Sequence, residues 1–377
     1  MQWYNLWLLI LLTVMVTSYA GALDLDKEKA VVQKTDFALF GFVQLEVRGG
    51  DGVIGDLQDA AIRFGAQRVR LGAKYIVGRF RGKLFLDFNQ PHNDKGGVGL
   101  SDMIKDAFVS YQIDQCTAIK FGLLKAPIGM SFTVPGWHLD IVERGFDKQL
   151  AFERDMGVML SGRGIGYEGN KVNGLEMGHE RAWKGFGYDL MIANQAGRSG
   201  AVIKAHPGDE NAFIGRLMWD WTKLLHTEIA YGVSRQAGGP GTKDYKALNF
   251  GIDSQIGRGS LKLEIFRTKN IRGVSGWDEN TYALTGTYDI VPKVRAVIKH
   301  IEGDAKKGCV STRLGNTYVG FSYFVNPYAT AAKHKHDMHR IQCNYVIATG
   351  DTEGKKVWNG LKGYRENAWI VQYEYKF

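Results

Sequence analysis

Basic side chains recur at every second position in several short segments of the chain. Arg68, Arg70 and Lys74 share one phase of their segment, while Val69 and Leu71 occupy the other. Alternate residues of a β-strand face opposite sides, so such a segment collects its cations on one face. Arginine presents a fork of donors that suits oxyanions, and lysine presents a mobile point charge. The pattern therefore predicts reversible anion binding along a polar surface.

The same reasoning assigns further cations to that polar face. Acidic residues such as Asp106, Asp220 and Glu264 occur among them and reduce the positive excess without cancelling it. A second interpretation stays open, in which the cations only pair with these acids and keep a general aqueous pore solvated. The predicted anion-binding residues are Arg68, Arg70, Lys74, Lys120, Lys125, Arg144, Arg216, Lys262, Arg295 and Lys299.

The sequence gives little indication of an enzyme or of a protein that binds nucleic acid. The chain lacks the GxSxG, GxxxxGK[ST] and HExxH motifs, so we predict neither an enzyme nor a cofactor. His334, His336 and His339 could share a soft metal ion in an extended segment. Lysines between and before them would repel a cation, so a solvated turn over 333–340 is favoured and no metal is predicted. The net charge of +9 is spread along the chain, which argues against a nucleic-acid partner.

Composition and the first residues indicate a secreted protein. Glycine is abundant, at 48 of 377 residues, proline is scarce, at 7, and mean hydropathy is -0.21. That hydropathy excludes a bundle of transmembrane helices. Residues 6–16 form one apolar run, and small residues follow it. We expect a signal peptide over 1–22, cleaved after Ala22, and one domain over 23–377. A retained membrane anchor is the alternative.

Alternation with period two runs through the rest of the chain and predicts an all-β fold. At the end, Trp369, Val371, Tyr373, Tyr375 and Phe377 form one apolar face. Segments of about ten residues match tilted strands that cross a membrane, and a sheet can cross only as a closed barrel. About sixteen segments fit: 37–47, 67–77, 80–89, 103–113, 117–125, 155–164, 183–194, 211–221, 224–235, 245–257, 259–269, 279–290, 293–302, 315–325, 338–348 and 367–377. Tight turns and longer connections, among them 303–314, alternate between these segments.

An ordered set of motifs between residues 67 and 158 resembles the phosphate-selective porin O and P family. The set comprises QRVRLG at 67–72, KDAFV at 105–109, IKFGLLKAPIG at 119–129, VER at 142–144 and ERDMGV at 153–158. The terminal strand ending in Phe377 also resembles the signal by which outer-membrane proteins are recognised for assembly.

This resemblance implies a sixteen-stranded antiparallel barrel in the outer membrane of a Gram-negative bacterium, present as a homotrimer. Its third loop, over 126–154, would fold inward and constrict the lumen, with Pro127, Gly129, Glu143, Arg154 and Asp155 shaping it. The implied function is passive diffusion of small hydrophilic anions, with phosphate or polyphosphate as candidates. A non-selective general porin, and a structural barrel that binds an extracellular partner, are the alternatives.

Overall fold

The computed structural model turns the period-two segments into sixteen strands. It describes residues 35–50, 62–89, 103–166, 184–194, 211–222, 224–237, 241–325, 339–350 and 363–377. The predicted signal peptide over 1–22, with His334 and His336, lies outside these ranges. The strands are β1 (Thr35–Gly49), β2 (Arg63–Val77), β3 (Phe80–Asp87), β4 (Ile104–Gln112), β5 (Thr117–Lys125), β6 (Arg154–Ile165), β7 (Gly185–Ala193), β8 (Ala212–Thr222), β9 (Leu225–Ser234), β10 (Tyr245–Ile256), β11 (Gly259–Lys269), β12 (Trp277–Val291), β13 (Val294–Lys307), β14 (Val310–Phe324), β15 (His339–Gly350) and β16 (Ala368–Lys376).

The strands close into one antiparallel barrel. Each strand pairs with its neighbours in sequence, and β1 pairs with β16. The closing register runs from Phe42 opposite Lys376 to Gly49 opposite Trp369. Closure satisfies the backbone N–H and C=O groups that an open edge would expose to lipid. The predicted all-β barrel of about sixteen strands is therefore confirmed.

The two faces of the wall differ in the way the alternation predicts. Outward side chains such as Leu217, Trp219 and Phe321 are apolar and exposed, as a lipid-facing surface requires. Inward positions between them carry polar and charged residues, including Arg216 and Asp220, which are buried within the barrel. Moderate hydropathy thus results from averaging a lipid face with a polar lumen.

The connection between β5 and β6, residues 126–153, is the third long one at its edge of the barrel. It contains a helical turn, Met130–Thr133, and two 3₁₀ turns, Gly136–His138 and Phe146–Leu150. Its apolar side chains pack on two apolar patches of the inner wall. Phe132 and Phe152 join the patch around Tyr245 and Phe266, and Phe146 joins the patch around Ile301. Within the described residues, no helix has the length and apolarity needed to cross a membrane.

The predicted long connection over 303–314 is wrong. β13 continues to Lys307, β14 begins at Val310, and only Gly308 and Cys309 separate them. Here Glu302 and Asp304 point outward, whereas Ile301 and Ala305 are fully buried on the inner face. A barrel strand usually carries apolar residues outward and polar residues inward, and this part of β13 has the opposite arrangement. In the sequence, its charged residues therefore resembled those of a loop.

The alternation of short turns and long connections is also incomplete. Gly78 and Arg79 join β2 to β3, and Gly257 and Arg258 join β10 to β11, as tight turns require. On the same edge, however, residues 166–184 connect β6 to β7 and residues 325–338 connect β14 to β15. The second of these ends earlier than the predicted turn over 333–340, because His339 and Arg340 already belong to β15.

Candidate functional site

The 126–153 loop is bound to the wall opposite its own strands. Arg340 donates from Nη1 to the Leu139 carbonyl over 3.0 Å, and the Val142 N–H donates to Asn344 Oδ1 over 2.8 Å. These partners lie in β15, about two hundred residues further along the chain. Because the bonds connect the loop to the inner face of a distant strand, the loop crosses the lumen.

The constriction-loop residues predicted from sequence occupy both ends of this segment. Pro127 is the second residue after β5, and Arg154 and Asp155 open β6. Gly129 has a positive φ of 92°, and a Cβ there would lie 2.8 Å from the Phe266 ring. Glycine therefore allows both the left-handed turn and the close approach of the loop to β11.

Five cations gather where the loop meets the wall of β2 to β6. Lys125 donates to the Thr133 carbonyl over 3.1 Å. Arg144 donates from Nε to the Ser131 carbonyl over 3.4 Å and from Nη2 to the Val134 carbonyl. Arg68, from β2, lies beside Gly136 of the loop. We call Arg68, Arg70, Lys125, Arg144 and Arg154 the cationic cluster.

Carboxylates neutralise only part of the cationic cluster. Arg70 pairs with Asp87 at 2.9 Å, and Arg154 pairs with Asp106 at 2.8 Å. Arg68 instead donates to the neutral amide oxygens of Gln44 and Gln67, each at 2.5 Å. Lys125 and Arg144 bond to carbonyl oxygens and make no ion pair with any described residue. Three of the five cations therefore have no carboxylate within ion-pair distance among the described residues.

A cavity of about 30 Å³ lies among these cations, between the loop and the wall. Arg70, Lys125, Arg144 and Arg154 line it, with Trp137 and Phe108 among the apolar neighbours. Burial, followed by repulsion from Arg68 and Arg154, lowers the pKa of Arg144 well below its ordinary value. A small anion in this cavity would relieve that repulsion.

A second group of charges lies across the loop, against β10 to β13, and is more acidic. Lys262 pairs with Asp140 at 2.6 Å, and Lys299 approaches Asp147 at 3.9 Å. Burial opposes ionisation of Asp140, but attraction to Lys262 outweighs it, so the Asp140 pKa is lowered. Asp253 and Glu264 line a second cavity, together with Asp140, Lys262 and Lys299. The loop therefore has a cationic side and a mixed side.

Glu143, also predicted to shape the loop, lies between the two sides of the loop and Tyr364, which precedes β16. Its carboxylate is 4.0 Å from Arg48. Burial is the main reason that the Glu143 pKa is raised, despite a hydrogen bond from Tyr364 and the charge of Arg48. Tyr364 therefore docks inside the barrel against the loop, a contact that the sequence did not indicate.

A third group surrounds Asp189 on β7, apart from the cationic cluster. Arg216 donates to Asp189 from Nε over 2.9 Å and from Nη2 over 2.5 Å, while Arg163 donates from Nη2 over 3.1 Å. Lys120 is buried close enough for its charge to act on Asp189. Lys120 and Arg216 are thus on the inner face, within a network that binds one strand to the next.

The remaining predicted cations lie nearer the edge that carries the tight turns. Arg295 pairs with Asp289 at 2.6 Å, and both side chains are 38% exposed. Lys74 lies over the Phe40 ring with its Nζ 5.2 Å from the centroid. All ten predicted cations thus lie on the inner face or in the loop, but only four belong to the cationic cluster.

Sequence reasoning missed several residues that hold the loop in place. Arg340, Gln342 and Asn344 occupy the polar phase of β15 and bond to the loop backbone. Their alternation was visible in the sequence, but their loop partners were not. His339 is on the outer phase instead, with Nδ1 2.5 Å from the Tyr373 hydroxyl. It therefore faces away from the lumen.

Solved structures with the same architecture include several outer-membrane proteins. OmpF of Salmonella typhi, in complex with daunomycin, has a TM-score of 0.61 at 12% identity, covering 90% of this chain and 97% of that one. An anion-selective porin from Comamonas acidovorans has a TM-score of 0.58 at 15% identity, covering 91% and 100%. OmpT of Vibrio cholerae, in its trimer form, has a TM-score of 0.56 at 11% identity, covering 91% and 99%.

The fold is that of an outer-membrane porin barrel. The closed sheet, its apolar outer face and these neighbours confirm the predicted location in the outer membrane of a Gram-negative bacterium. No family model matches the sequence, and no curated protein matches it. The resemblance to the phosphate-selective porin O and P family therefore rests on its motifs alone.

Proposed function

We propose that the protein is an outer-membrane channel for passive diffusion of small hydrophilic anions. The cationic cluster carries this proposal: five basic groups meet where the loop contacts the wall, and among the described residues only Asp87 and Asp106 form ion pairs with them. A positive excess between low-dielectric walls raises the local concentration of anions and lowers their barrier to entry. The anion-selective porin among the structural neighbours is consistent with this function.

A narrower proposal is that the channel prefers oxyanions, including phosphate and polyphosphate. Arg68, Arg70, Arg144 and Arg154 contribute four guanidinium groups to the cluster. A guanidinium group can donate two parallel hydrogen bonds to one oxyanion, whereas chloride offers no such geometry. Phosphate is therefore expected to reside longer at the cluster than chloride does, and to obstruct the chloride current.

The test is the reversal potential of the purified protein in a planar bilayer under a KCl gradient. We expect the sign of an anion-selective channel, and we expect added phosphate to reduce the chloride current. Arg144→Gln removes an uncompensated charge of the cluster and should shift the reversal potential towards zero. Arg295→Gln, on a half-exposed residue paired with Asp289, is the matched control and should shift it less.

Other results would contradict the proposal or favour one of the alternative functions. A cation-selective sign would contradict the anion channel, and a potential near zero would indicate a general porin. A chloride current unaffected by phosphate would remove the oxyanion preference and leave the broader proposal intact. No conductance from a folded barrel would favour a structural protein that binds an extracellular partner.

A further inference from the structure

The outer face of β10 and β11 changes from apolar to basic near one edge of the barrel. Along β10, Phe250 and Leu248 are exposed and apolar, and Lys246 is the next outward residue. Along β11, Ile265 is followed outward by Arg267 and Lys269. Outward residues of β7 and β8, such as Ile192 and Phe213, remain apolar almost to the same edge. The outward cations that border β10 and β11 are therefore absent from β7 and β8.

Strand register brings the three cations of this border together. Lys246 is directly opposite Lys269, and Arg267 is opposite Leu248, one outward step nearer the apolar belt. Residues opposite each other have Cβ atoms roughly 5 Å apart, and alternate residues of a strand are roughly 7 Å apart. We call Lys246, Arg267 and Lys269 the rim triad.

Acidic side chains do not neutralise the rim triad. Each of its members is exposed, and none makes an ion pair with a described residue. Two carboxylates lie nearby, Asp244, which accepts the Gln236 N–H over 3.2 Å, and Asp278, which accepts the Asn270 N–H over 3.0 Å. Neither forms an ion pair with a member of the triad, and three cations outnumber these two acids. Like charges directly opposite on a sheet destabilise the pair. A multivalent anion between Lys246 and Lys269 would reverse the sign of this interaction.

The position of the rim triad indicates that this anion comes from the membrane. Leu248 and Ile265 are the next outward residues after Lys246 and Arg267 and belong to the apolar belt of the outer face, so the cations border this belt at the depth expected for headgroups. Long basic side chains at this depth keep their stems on apolar surface and place their charge among the headgroups. Two further exposed cations, Lys243 and Arg272, lie in the adjoining connections, where the Lys243 N–H donates to the Gly273 carbonyl.

We propose that the rim triad binds the phosphate group of an anionic lipid in the leaflet that meets this edge of the barrel. The ligand is a membrane lipid with a phosphorylated headgroup, held by electrostatic contacts from Lys246, Arg267 and Lys269 while its acyl chains cover the outer face of β10 and β11. This site is on the lipid face of the wall, separate from the lumen and from the cationic cluster.

The test measures lipid selectivity of the full-length barrel reconstituted in phosphatidylcholine. Spin-labelled phosphatidic acid and spin-labelled phosphatidylcholine are compared by the motionally restricted fraction of their electron paramagnetic resonance spectra. One well-placed cation corresponds to about a fivefold preference for an anionic lipid, so the parent protein should prefer phosphatidic acid by at least that factor. K246Q/R267Q/K269Q should lose most of this preference.

K306Q/K307Q/R313Q is the matched control. It removes the same charge from the same edge, at β13 and β14, where Asp304 lies opposite Arg313 and Asp278 lies opposite Lys306. This variant should keep the preference of the parent. Heat-modifiable migration in SDS gels verifies that both variants are folded barrels.

Three results of the lipid comparison would overturn the proposal. They are a parent protein without preference for phosphatidic acid, a K246Q/R267Q/K269Q variant that retains it, and equal losses in both triple variants. Excess inorganic phosphate at constant ionic strength should leave the preference intact. If it abolished the preference, the triad would be a site for free phosphate, and the lipid assignment would be wrong.

Discussion

Asp189 shows how single residues stabilise the wall. It is fully buried and accepts hydrogen bonds from Arg163 and Arg216, which are also buried. The sequence placed Arg216 and Lys120 on the inner phase but gave no reason to select Asp189 as their shared partner. Alternation specifies the face of a residue, whereas the pairing partner depends on register between strands.

Asp189→Asn should therefore destabilise the barrel strongly. It removes the carboxylate that Arg163 and Arg216 share, although Arg216 keeps Glu228 at 3.6 Å, and removing one partner of a buried ion pair costs about 3–5 kcal/mol. Asp289→Asn is the control, because its pair with Arg295 is half exposed and is worth about 0–1 kcal/mol. Denaturant unfolding of the two variants in detergent measures the difference. Similar losses of stability would contradict the structural role of Asp189.

At the scale of elements, the 126–153 loop is the decisive feature. Its ends could be located from sequence, because alternation stops after Lys125 and resumes near Arg154. Its path could not, because Gly145 and Phe146 pack against Ile301 of β13, more than 150 residues away. The same contact explains why β13 buries apolar residues inward and why its outward charges resembled a loop.

Gly145→Val should displace the loop from β13. A Cβ at this position would overlap Ile301 Cδ1 and lie 2.6 Å from Asp147 Oδ1, and both of these side chains are buried. Overpacking of this kind costs about 1–3 kcal/mol, so the docked loop should be less populated and single-channel conductance should rise.

Gly215→Val serves as the control for this prediction. Its Cβ would meet Leu190 at 3.7 Å, an ordinary contact on the outer face. Conductance of this variant should equal that of the parent protein in the same bilayer. An unchanged conductance in Gly145→Val would show that the loop does not narrow the passage.

At the scale of the molecule, the barrel closes through strands from opposite ends of the chain. β1 and β16 pair over eight residues, from Phe42 opposite Lys376 to Gly49 opposite Trp369. The motif resemblance to the porin O and P family predicts that this barrel associates as a homotrimer, and this stays a prediction.

The trimer has a direct test. We expect the unboiled protein to migrate in SDS gels as an oligomer, because β-barrels resist SDS until heated. Boiling should convert this oligomer to a monomer band that migrates faster than the oligomer. Cross-linking in detergent should give three protomers. A single protomer in both measurements would contradict the trimer while leaving the channel proposal to its own electrical test.

The sequence by itself determined the all-β class, nearly every strand and the face of each inward cation, because period two is a local property of the backbone. Only the tertiary structure decided which cations remain uncompensated. Within the described part of the chain, Arg68, Lys125 and Arg144 form no ion pair with a carboxylate, because the loop brings them together from three separate segments, whereas Arg216 and Lys262 meet acids across the wall or the loop. Charge pairing depends on distances between elements, and sequence patterns specify the elements without those distances.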